Sequence, residues 1–109
     1  MLIAVATKTG REIDQHFGHA ERFLIYNVDN GTANLVDEKK VERYCTYDPE
    51  HPLRTHVLAG IAAALTGCRA IVCAQIGQSP QDEMERLGFS TFALAGEIGP
   101  ALVELARML

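Results

Sequence analysis

Two short runs made entirely of apolar residues constrain the fold more than any other feature of this chain. One covers Leu2–Ala6, and the other covers residues 70–74 in the second half of the sequence. Short runs that are apolar at every position are typical of strands buried on both faces at the centre of a sheet. A sheet buried on both faces requires helices packed against it. The sequence therefore predicts an α/β domain.

Three further strands are predicted from turn signals. A strand over residues 23–28 and one over residues 32–42 flank Asn30-Gly31, a dipeptide that favours a tight hairpin turn because both residues tolerate positive φ. The charged positions between residues 37 and 40 indicate an edge strand. A short fifth strand is predicted over residues 89–94.

Three helices are predicted between and after these strands. The first begins near Leu53, or as early as Pro49, and ends before Gly67. The second has Ser79 as its N-cap and Pro80 as its first residue, and the third covers residues 99–108. The order β-β-β-α-β-α-β-α predicts a mixed five-stranded sheet with helices on it. This is the layout of three-layer ribonuclease-H-like folds, an analogy that implies no activity.

Size, charge and cysteine content exclude several classes of protein. The 109 residues suit a single domain spanning residues 1–109. Ten basic and fourteen acidic residues give a net charge of −4, which argues against a nucleic-acid partner. The three cysteines do not suggest a disulfide framework, and no apolar run is long enough for a membrane span. We therefore expect a cytoplasmic protein that binds neither nucleic acid nor membrane.

The histidines are concentrated in the first half of the chain. All four lie within the first 56 residues, and two of them form the motif His16-Phe17-Gly18-His19. Imidazole binds iron, zinc, copper and nickel, and the central glycine permits a bend that turns both rings to one side. Two ligands do not complete a metal site, so spacing alone favours a turn in which one histidine caps the backbone and the other is solvated, with metal binding as the alternative.

Cys45 differs in its surroundings from the other two cysteines. It lies in a polar segment between Tyr44 and Thr46, where a thiolate would suit an iron–sulfur cluster, although an incidental surface thiol is the alternative. Cys68, at a predicted helix end, and Cys73, in a predicted strand, are expected to be packing residues. The chain has no Cys-x-x-Cys motif.

Further polar features surround the histidine motif without forming a recognised catalytic pattern. The acidic residues do not form the cluster around divalent metal that a nuclease requires. The basic residues Lys8, Arg11 and Arg43 flank the histidine and cysteine segments, where an anionic ligand would find local positive charge. The turn over residues 76–80 is interpreted as an ordinary strand-to-helix connection, with anion binding at the helix start as the alternative.

Several segments taken together are more specific than any one of them. They are Ile3-Ala4-Val5-Ala6-Thr7, Ile13-Asp14-Gln15-His16-Phe17-Gly18-His19-Ala20, Phe23-Leu24-Ile25-Tyr26, Arg43-Tyr44-Cys45, the Ala-rich stretch 60–65, and residues 73–77. This combination resembles the dinitrogenase iron–molybdenum-cofactor biosynthesis family over nearly the whole chain. The Tyr-Cys pair and the Ala-rich helix resemble its NifX-type and NifB C-terminal branch.

The resemblance implies a ribonuclease-H-like fold without enzymatic activity. It implies reversible binding of an iron–sulfur cluster, a precursor of the iron–molybdenum cofactor. The partners would be the cluster-synthesising enzyme, the assembly scaffold and apo-dinitrogenase. Carried over by motif, His16, His19 and Cys45 become candidate cluster ligands. By the same carry-over, Asp14, Phe17 and Gly18 shape the loop, while Lys8, Arg11 and Arg43 would attract the anionic cluster.

Two alternative functions and one question of organisation stay open at this point. Cys45 with His16 or His51 would suit a thiol enzyme. A protein-interaction or regulatory module of the same fold would bind no metal. A free-standing carrier and the C-terminal domain of a larger NifB-type protein would have similar sequences. The cysteine motif of the radical enzyme is missing from this chain, so cluster synthesis is not expected of it.

Overall fold

The computed structural model describes residues 1–44 and 55–109, which form a mixed sheet with helices on both faces. The strands are β1 (Leu2–Ala6), β2 (Arg22–Asp29), β3 (Thr32–Lys40), β4 (Cys68–Cys73) and β5 (Ser90–Ala93). The helices are α1 (Thr55–Ala64), α2 (Gln78–Arg86) and α3 (Ile98–Ala106), and a 3₁₀ turn covers Phe17–His19. The predicted α/β class and mixed five-stranded sheet are confirmed.

The direction of each strand relative to the central strand β1 determines which strand ends lie together at each edge of the sheet. The strands lie in the order β3-β2-β1-β4-β5, with β1 antiparallel to β2 and parallel to β4. Strand β3 is antiparallel to β2, and β5 is parallel to β4. The ends of β1, β3 and β4 therefore lie at the same edge as the beginning of β2. We call this the carboxyl edge.

The apolar run in β1 is buried on both faces, as its composition predicts. Ala4 and Ala6 face a layer formed by α1 and α2, in which Leu58, Ile61 and Met84 are buried. The alternate residues of β1 face α3 on the opposite side, in a second cluster centred on the following side chains: Ile3, Val5, Val72, Leu102 and Leu105. The domain is thus built in three layers, with the sheet between two helical layers.

The hairpin between β2 and β3 forms at the predicted position. Asn30 and Gly31 have φ values of 50° and 75°, and Asp29 pairs with Thr32 across the turn. Strand β3 lies at the edge of the sheet and nearly all of its residues are exposed, in agreement with its charged sequence. It ends at Lys40, two residues before the predicted boundary.

Three local predictions are wrong, each at the boundary of an element. The N-cap of α2 is Gly77, not Ser79, because the backbone N–H of Gln81 already donates to the carbonyl oxygen of Gly77 at 3.1 Å. Pro80 is the third residue of α2, a position whose N–H needs no acceptor within the helix. Helix α3 begins at Ile98, before the predicted start, and Cys68 begins β4 instead of ending a helix. The predicted starts of α1 at Pro49 or Leu53 lie outside the described residues.

Candidate functional site

The segment between β1 and β2 is held in place by the buried hydroxyl group of Thr7. Thr7 is 2% exposed and follows the last residue of β1. Its Oγ1 lies 2.6 Å from the carbonyl oxygen of Glu12 and 3.2 Å from Oδ1 of Asp14, and it accepts the N–H of Gly10 at 2.9 Å. These contacts close residues 7–14 into a compact loop before the chain reaches the histidine motif.

Asp14 closes the same loop through its carboxylate. Its Oδ1 accepts the backbone N–H of Lys8 at 2.7 Å. This hydrogen bond is the main cause that lowers the pKa of Asp14, with further hydrogen bonds from Thr9 and Thr7, while partial burial opposes the shift. Asp14 is thus a hydrogen-bond acceptor that closes the loop over residues 7–14.

The histidine motif lies against the end of β4. The N–H of Ala74 donates to the carbonyl oxygen of Gln15 at 3.0 Å, and the N–H of Phe17 donates to the carbonyl oxygen of Gln75 at 2.8 Å. His16 therefore pairs with Gln75 as a short parallel bridge. Because β4 is a buried strand, this pairing fixes the backbone of the motif at the carboxyl edge.

The buried side chain of Phe17 anchors the histidine motif to the hydrophobic core. Its side chain is 1% exposed, and its ring centroid lies 5.9 Å from that of Phe23 and 6.4 Å from that of Tyr44. With Phe17 buried between the two histidines, the 3₁₀ turn over Phe17–His19 places both imidazoles toward the surface.

The two imidazoles lie side by side. Their ring centroids are 5.0 Å apart with an interplanar angle of 31°. His16 is half-buried, and its Nδ1 accepts the backbone N–H of Gly18 at 2.9 Å, so it also serves as the N-cap of the 3₁₀ turn. Burial, and secondarily the proximity of His19, lower the pKa of His16. A neutral ring is the form that binds a metal, so this shift favours ligation.

His19 is exposed and lines an open cleft of about 430 Å³. The cleft contains cationic side chains from the loop after β1, from the start of β2 and from the end of β3. Its lining includes Lys8, Gln15, His19, Glu21, Arg22 and Lys40. We call it the lysine cleft. Of the basic residues predicted to assist ligand binding, Lys8 lies here.

The other predicted residues lie elsewhere or outside the described part. Arg11 lines a different cleft with Tyr26 and Glu97, so it does not share the surroundings of His19. Arg43 is exposed two residues before Cys45, and Cys45 itself lies outside the described residues, as does His51. Within residues 1–44 and 55–109, no group of three His, Cys, Asp or Glu side chains is arranged to hold a metal ion.

The cysteines predicted to be packing residues occupy positions that suit that role. Cys73 is fully buried beneath the motif, and this burial raises its pKa to about 11. Cys68 is half-buried, and its pKa is also raised by burial. Both thiols are therefore protonated at neutral pH, which makes them poor ligands compared with a thiolate.

Sequence reasoning missed Thr7, Arg22 and Lys40. Arg22 and Lys40 face each other in the register of β2 and β3, at equal distances from Gly31. Counting outward from the Asn-Gly turn would have placed Arg22 opposite Lys39, because Asp29 pairs with Thr32 next to the turn. A register shift between Ile25 and Tyr26 moves the pairing by one residue and brings Arg22 opposite Lys40, and no sequence signal identified that shift. No local pattern identifies Thr7, because its role depends on the path of the loop that follows.

No helix within the described ranges, 1–44 and 55–109, has the length and apolar character needed to cross a membrane.

Comparisons with known proteins agree with the sequence resemblance. The chain is 38% identical over 88 residues to the FeMo cofactor biosynthesis protein NifB of Azotobacter vinelandii, covering 81% of this chain and 18% of that protein. It is 34% identical over 109 residues to the protein of the same name in Frankia alni, covering 100% of this chain and 21% of the relative. The chain thus spans about a fifth of the length of these relatives.

The fold is similar to that of a solved structure from Methanocaldococcus jannaschii. The TM-score is 0.60 at 16% identity, and the match covers 99% of this chain and 88% of the other. At this level of identity the likeness concerns the fold alone. The family described as "Dinitrogenase iron-molybdenum cofactor" matches residues 1–108. The chain therefore belongs to the dinitrogenase iron-molybdenum cofactor family.

Proposed function

We propose that this chain is a carrier that binds an iron–sulfur precursor of the iron–molybdenum cofactor and passes it on during cofactor assembly. The observation that carries the proposal is the pair of imidazoles 5.0 Å apart on a turn fixed to the carboxyl edge of the sheet. Family membership supplies the class of cargo. The cluster is cargo here, and the protein performs no reaction on it.

The two histidines are suited to capture a cluster from solution. The backbone of the motif is fixed by β4 and by the buried ring of Phe17, so little conformational entropy is lost when a ligand binds. The ring of His19 is exposed, and the pKa of His16 is lowered, so both a reachable and a neutral imidazole are present at neutral pH. Imidazole is a ligand that iron accepts readily.

We propose Cys45 as the third ligand. Tyr44, which precedes it in the sequence, packs against Phe17 within the histidine motif, with ring centroids 6.4 Å apart. This contact brings the described chain to the motif at the residue before Cys45. A thiolate is the soft ligand that iron–sulfur clusters favour.

A small set of ligands suits a carrier better than a closed site. A structural metal site with four protein ligands holds its metal firmly, whereas a carrier must release its cargo to an acceptor. Two or three ligands at an open edge leave the remaining metal coordination positions accessible to the next protein. The partners that we propose are therefore the cluster-synthesising enzyme, the assembly scaffold and apo-dinitrogenase.

The remaining parts of the proposal concern classification and location. The strand order β3-β2-β1-β4-β5 supports a ribonuclease-H-like classification as a single domain over residues 1–109. We propose a non-enzymatic role in the cytoplasm. For the NifB relatives, which are about five times longer, the matching region would have the same carrier role within the larger protein.

Anaerobic titration with an isolated cofactor precursor tests the carrier function. The retained iron and the visible absorbance after gel filtration measure capture. We expect His16→Ala, His19→Ala and Cys45→Ala to retain less cluster than the parent. The controls are His56→Ala, which removes an exposed histidine on α1, and Cys68→Ala, which removes a half-buried thiol at the start of β4. Circular dichroism establishes that each variant is folded.

The outcomes separate the proposal from its two rivals. If the parent protein retains no cluster at any ratio, the carrier function is wrong and an interaction module that binds no metal becomes the better explanation. If Cys45→Ala retains as much cluster as Cys68→Ala, Cys45 is not a ligand. Turnover of a thiol-reactive substrate that depends on Cys45 would favour the enzyme instead.

A further inference from the structure

The lysine cleft has more cationic than acidic side chains in its lining, and two of the cations have no ion-pair partner among the described residues. Lys8 follows β1, Arg22 begins β2 and Lys40 ends β3, and all three line the cleft. The antiparallel arrangement of these strands brings the three positions to the carboxyl edge. Among the described residues that line the cleft, Glu21 is the only acidic one, in a chain whose net charge is −4.

Within residues 1–44 and 55–109, one of these three cations, Arg22, has an ion-pair partner. Arg22 pairs with Glu38 at 3.3 Å, and its other Nη donates to the carbonyl oxygen of Lys8 at 3.1 Å. Among the residues that the structure describes, neither Lys8 nor Lys40 has an ion-pair partner. Arg22 and Lys40 also face each other directly across β2 and β3, an arrangement of like charges that destabilises a sheet.

The cleft is continuous with the imidazole pair. His19 belongs to the lining of the cleft, and its ring lies 5.0 Å from that of His16. A ligand bound to the imidazole of His19 would therefore lie in a cleft that Lys8 and Lys40 also line. A volume of about 430 Å³ accommodates a ligand much larger than a single metal ion.

We infer, on the basis of the proposed function, that Lys8 and Lys40 are positioning residues that hold the negatively charged part of the cargo. The lysine cleft selects an anionic cluster over a free metal cation, because a cation at His19 would be repelled by both ammonium groups. The binding energy of the anion compensates for the arrangement of like charges at Arg22 and Lys40.

A metal-free probe tests the cleft independently of the proposed function. Inorganic pyrophosphate is a compact polyanion, and its binding at low ionic strength can be followed by calorimetry and by backbone amide shifts. The test variant is Lys8→Gln/Lys40→Gln. The matched control is Lys39→Gln/Arg69→Gln, which removes the same charge from two exposed positions that do not line the cleft.

We expect pyrophosphate to shift the amides of Lys8, Gln15 and Lys40 in the parent. Binding should weaken about tenfold in Lys8→Gln/Lys40→Gln, the combined effect expected of two exposed ionic contacts. It should weaken less than about twofold in the control, because neither control side chain lines the cleft and Lys39 already pairs with Asp37 at 3.2 Å. Equal weakening in both double variants, or no binding to the parent, would overturn the inference.

A second measurement uses an iron–sulfur cluster assembled anaerobically from ferrous iron and sulfide. Lys8→Gln/Lys40→Gln should retain less cluster than Lys39→Gln/Arg69→Gln, although both keep His16, His19 and Cys45. Equal retention would overturn the role of the cleft in cargo binding while leaving the carrier function intact. If the parent retains no cluster but binds pyrophosphate as expected, the carrier function fails and the cleft stands as an anion site.

Discussion

Replacing Thr7 by valine should destabilise the domain far more than its small change in shape suggests. Valine has nearly the same volume as threonine but lacks the hydroxyl group. In the folded protein that hydroxyl contacts the carbonyl oxygen of Glu12 at 2.6 Å and accepts the N–H of Gly10 at 2.9 Å. Thr7 is 2% exposed, so water cannot readily replace the lost hydroxyl.

The expected loss follows from the two backbone groups left without their partner. Leaving a buried polar group unsatisfied costs about 1–3 kcal/mol, and these groups are partly buried, so we expect Thr7→Val to lose about 2 kcal/mol of unfolding free energy. An unfolding entropy of about 2.1 cal/mol/K per residue over 109 residues converts this loss to a fall of roughly 9 °C in Tm.

Urea denaturation followed by circular dichroism measures this loss, with two control variants. Thr66→Val makes the same replacement at an exposed threonine whose hydroxyl donates to the carbonyl oxygen of Ala63 at 2.8 Å. It should change the unfolding free energy by less than about 0.5 kcal/mol. Thr7→Ser keeps the hydroxyl and should lose only about 1 kcal/mol, the cost of one buried methyl group.

The comparison between the two valine variants decides whether the reasoning is correct. If Thr7→Val and Thr66→Val change the midpoint by the same amount, the hydroxyl of Thr7 does not hold the loop as we infer. The same conclusion follows if Thr7→Val is more stable than Thr7→Ser, because the hydroxyl group would then contribute less to stability than the methyl group. The slope of the urea dependence should stay constant in all variants.

Three further predictions concern pH and backbone conformation. Because the pKa of Asp14 is lowered in the folded protein, its carboxylate stabilises the fold above about pH 4, and this contribution is lost as pH falls through the folded-state pKa. Asp14→Asn should therefore reduce the dependence of the unfolding free energy on pH in that acid range. Because the pKa of His16 is lowered in the folded protein, His16 takes up its proton at a higher pH in the unfolded chain than in the folded one. The protein should therefore lose stability as pH falls below about 6.5, the ordinary histidine pKa. His16→Gln should reduce the dependence of the unfolding free energy on pH in urea titrations. Gly31→Ala should cost about 1 kcal/mol because φ is +75°, whereas Gly60→Ala, at an unobstructed helical position, should stabilise by about 0.5 kcal/mol in the same assay.

The sheet could be predicted from the sequence because its signals are local. Leu2–Ala6 is apolar at every position, and such a run has few alternatives to a buried strand. Asn30 and Gly31 adopt the positive φ values that their side chains tolerate, so the hairpin follows from two residues.

Helix boundaries and the lysine cleft could not be predicted in the same way. Ser79 is a better N-cap than Gly77 by side-chain chemistry, but the carbonyl oxygen of Gly77 accepts the first helical hydrogen bond, from Gln81, and no side-chain signal marks that position. Lys8 and Lys40 are 32 positions apart and share a cleft only because β1, β2 and β3 meet at one edge. Such a site depends on topology, which a single sequence specifies only indirectly.

The two histidines differ in whether binding a metal requires breaking a hydrogen bond. Because Nδ1 of His16 accepts the N–H of Gly18, the neutral ring carries its proton on Nε2. His16 can therefore bind through Nδ1 only by releasing Gly18, and binding through Nε2 moves the ring proton to Nδ1, which also ends the hydrogen bond from Gly18. His19 makes no side-chain hydrogen bond to another described residue, so it binds without such a loss. Giving up one hydrogen bond costs about 1 kcal/mol, which weakens capture several-fold. In the proposed carrier this cost would be useful, because re-forming the bond between His16 and Gly18 would help to expel the cluster when an acceptor competes for it.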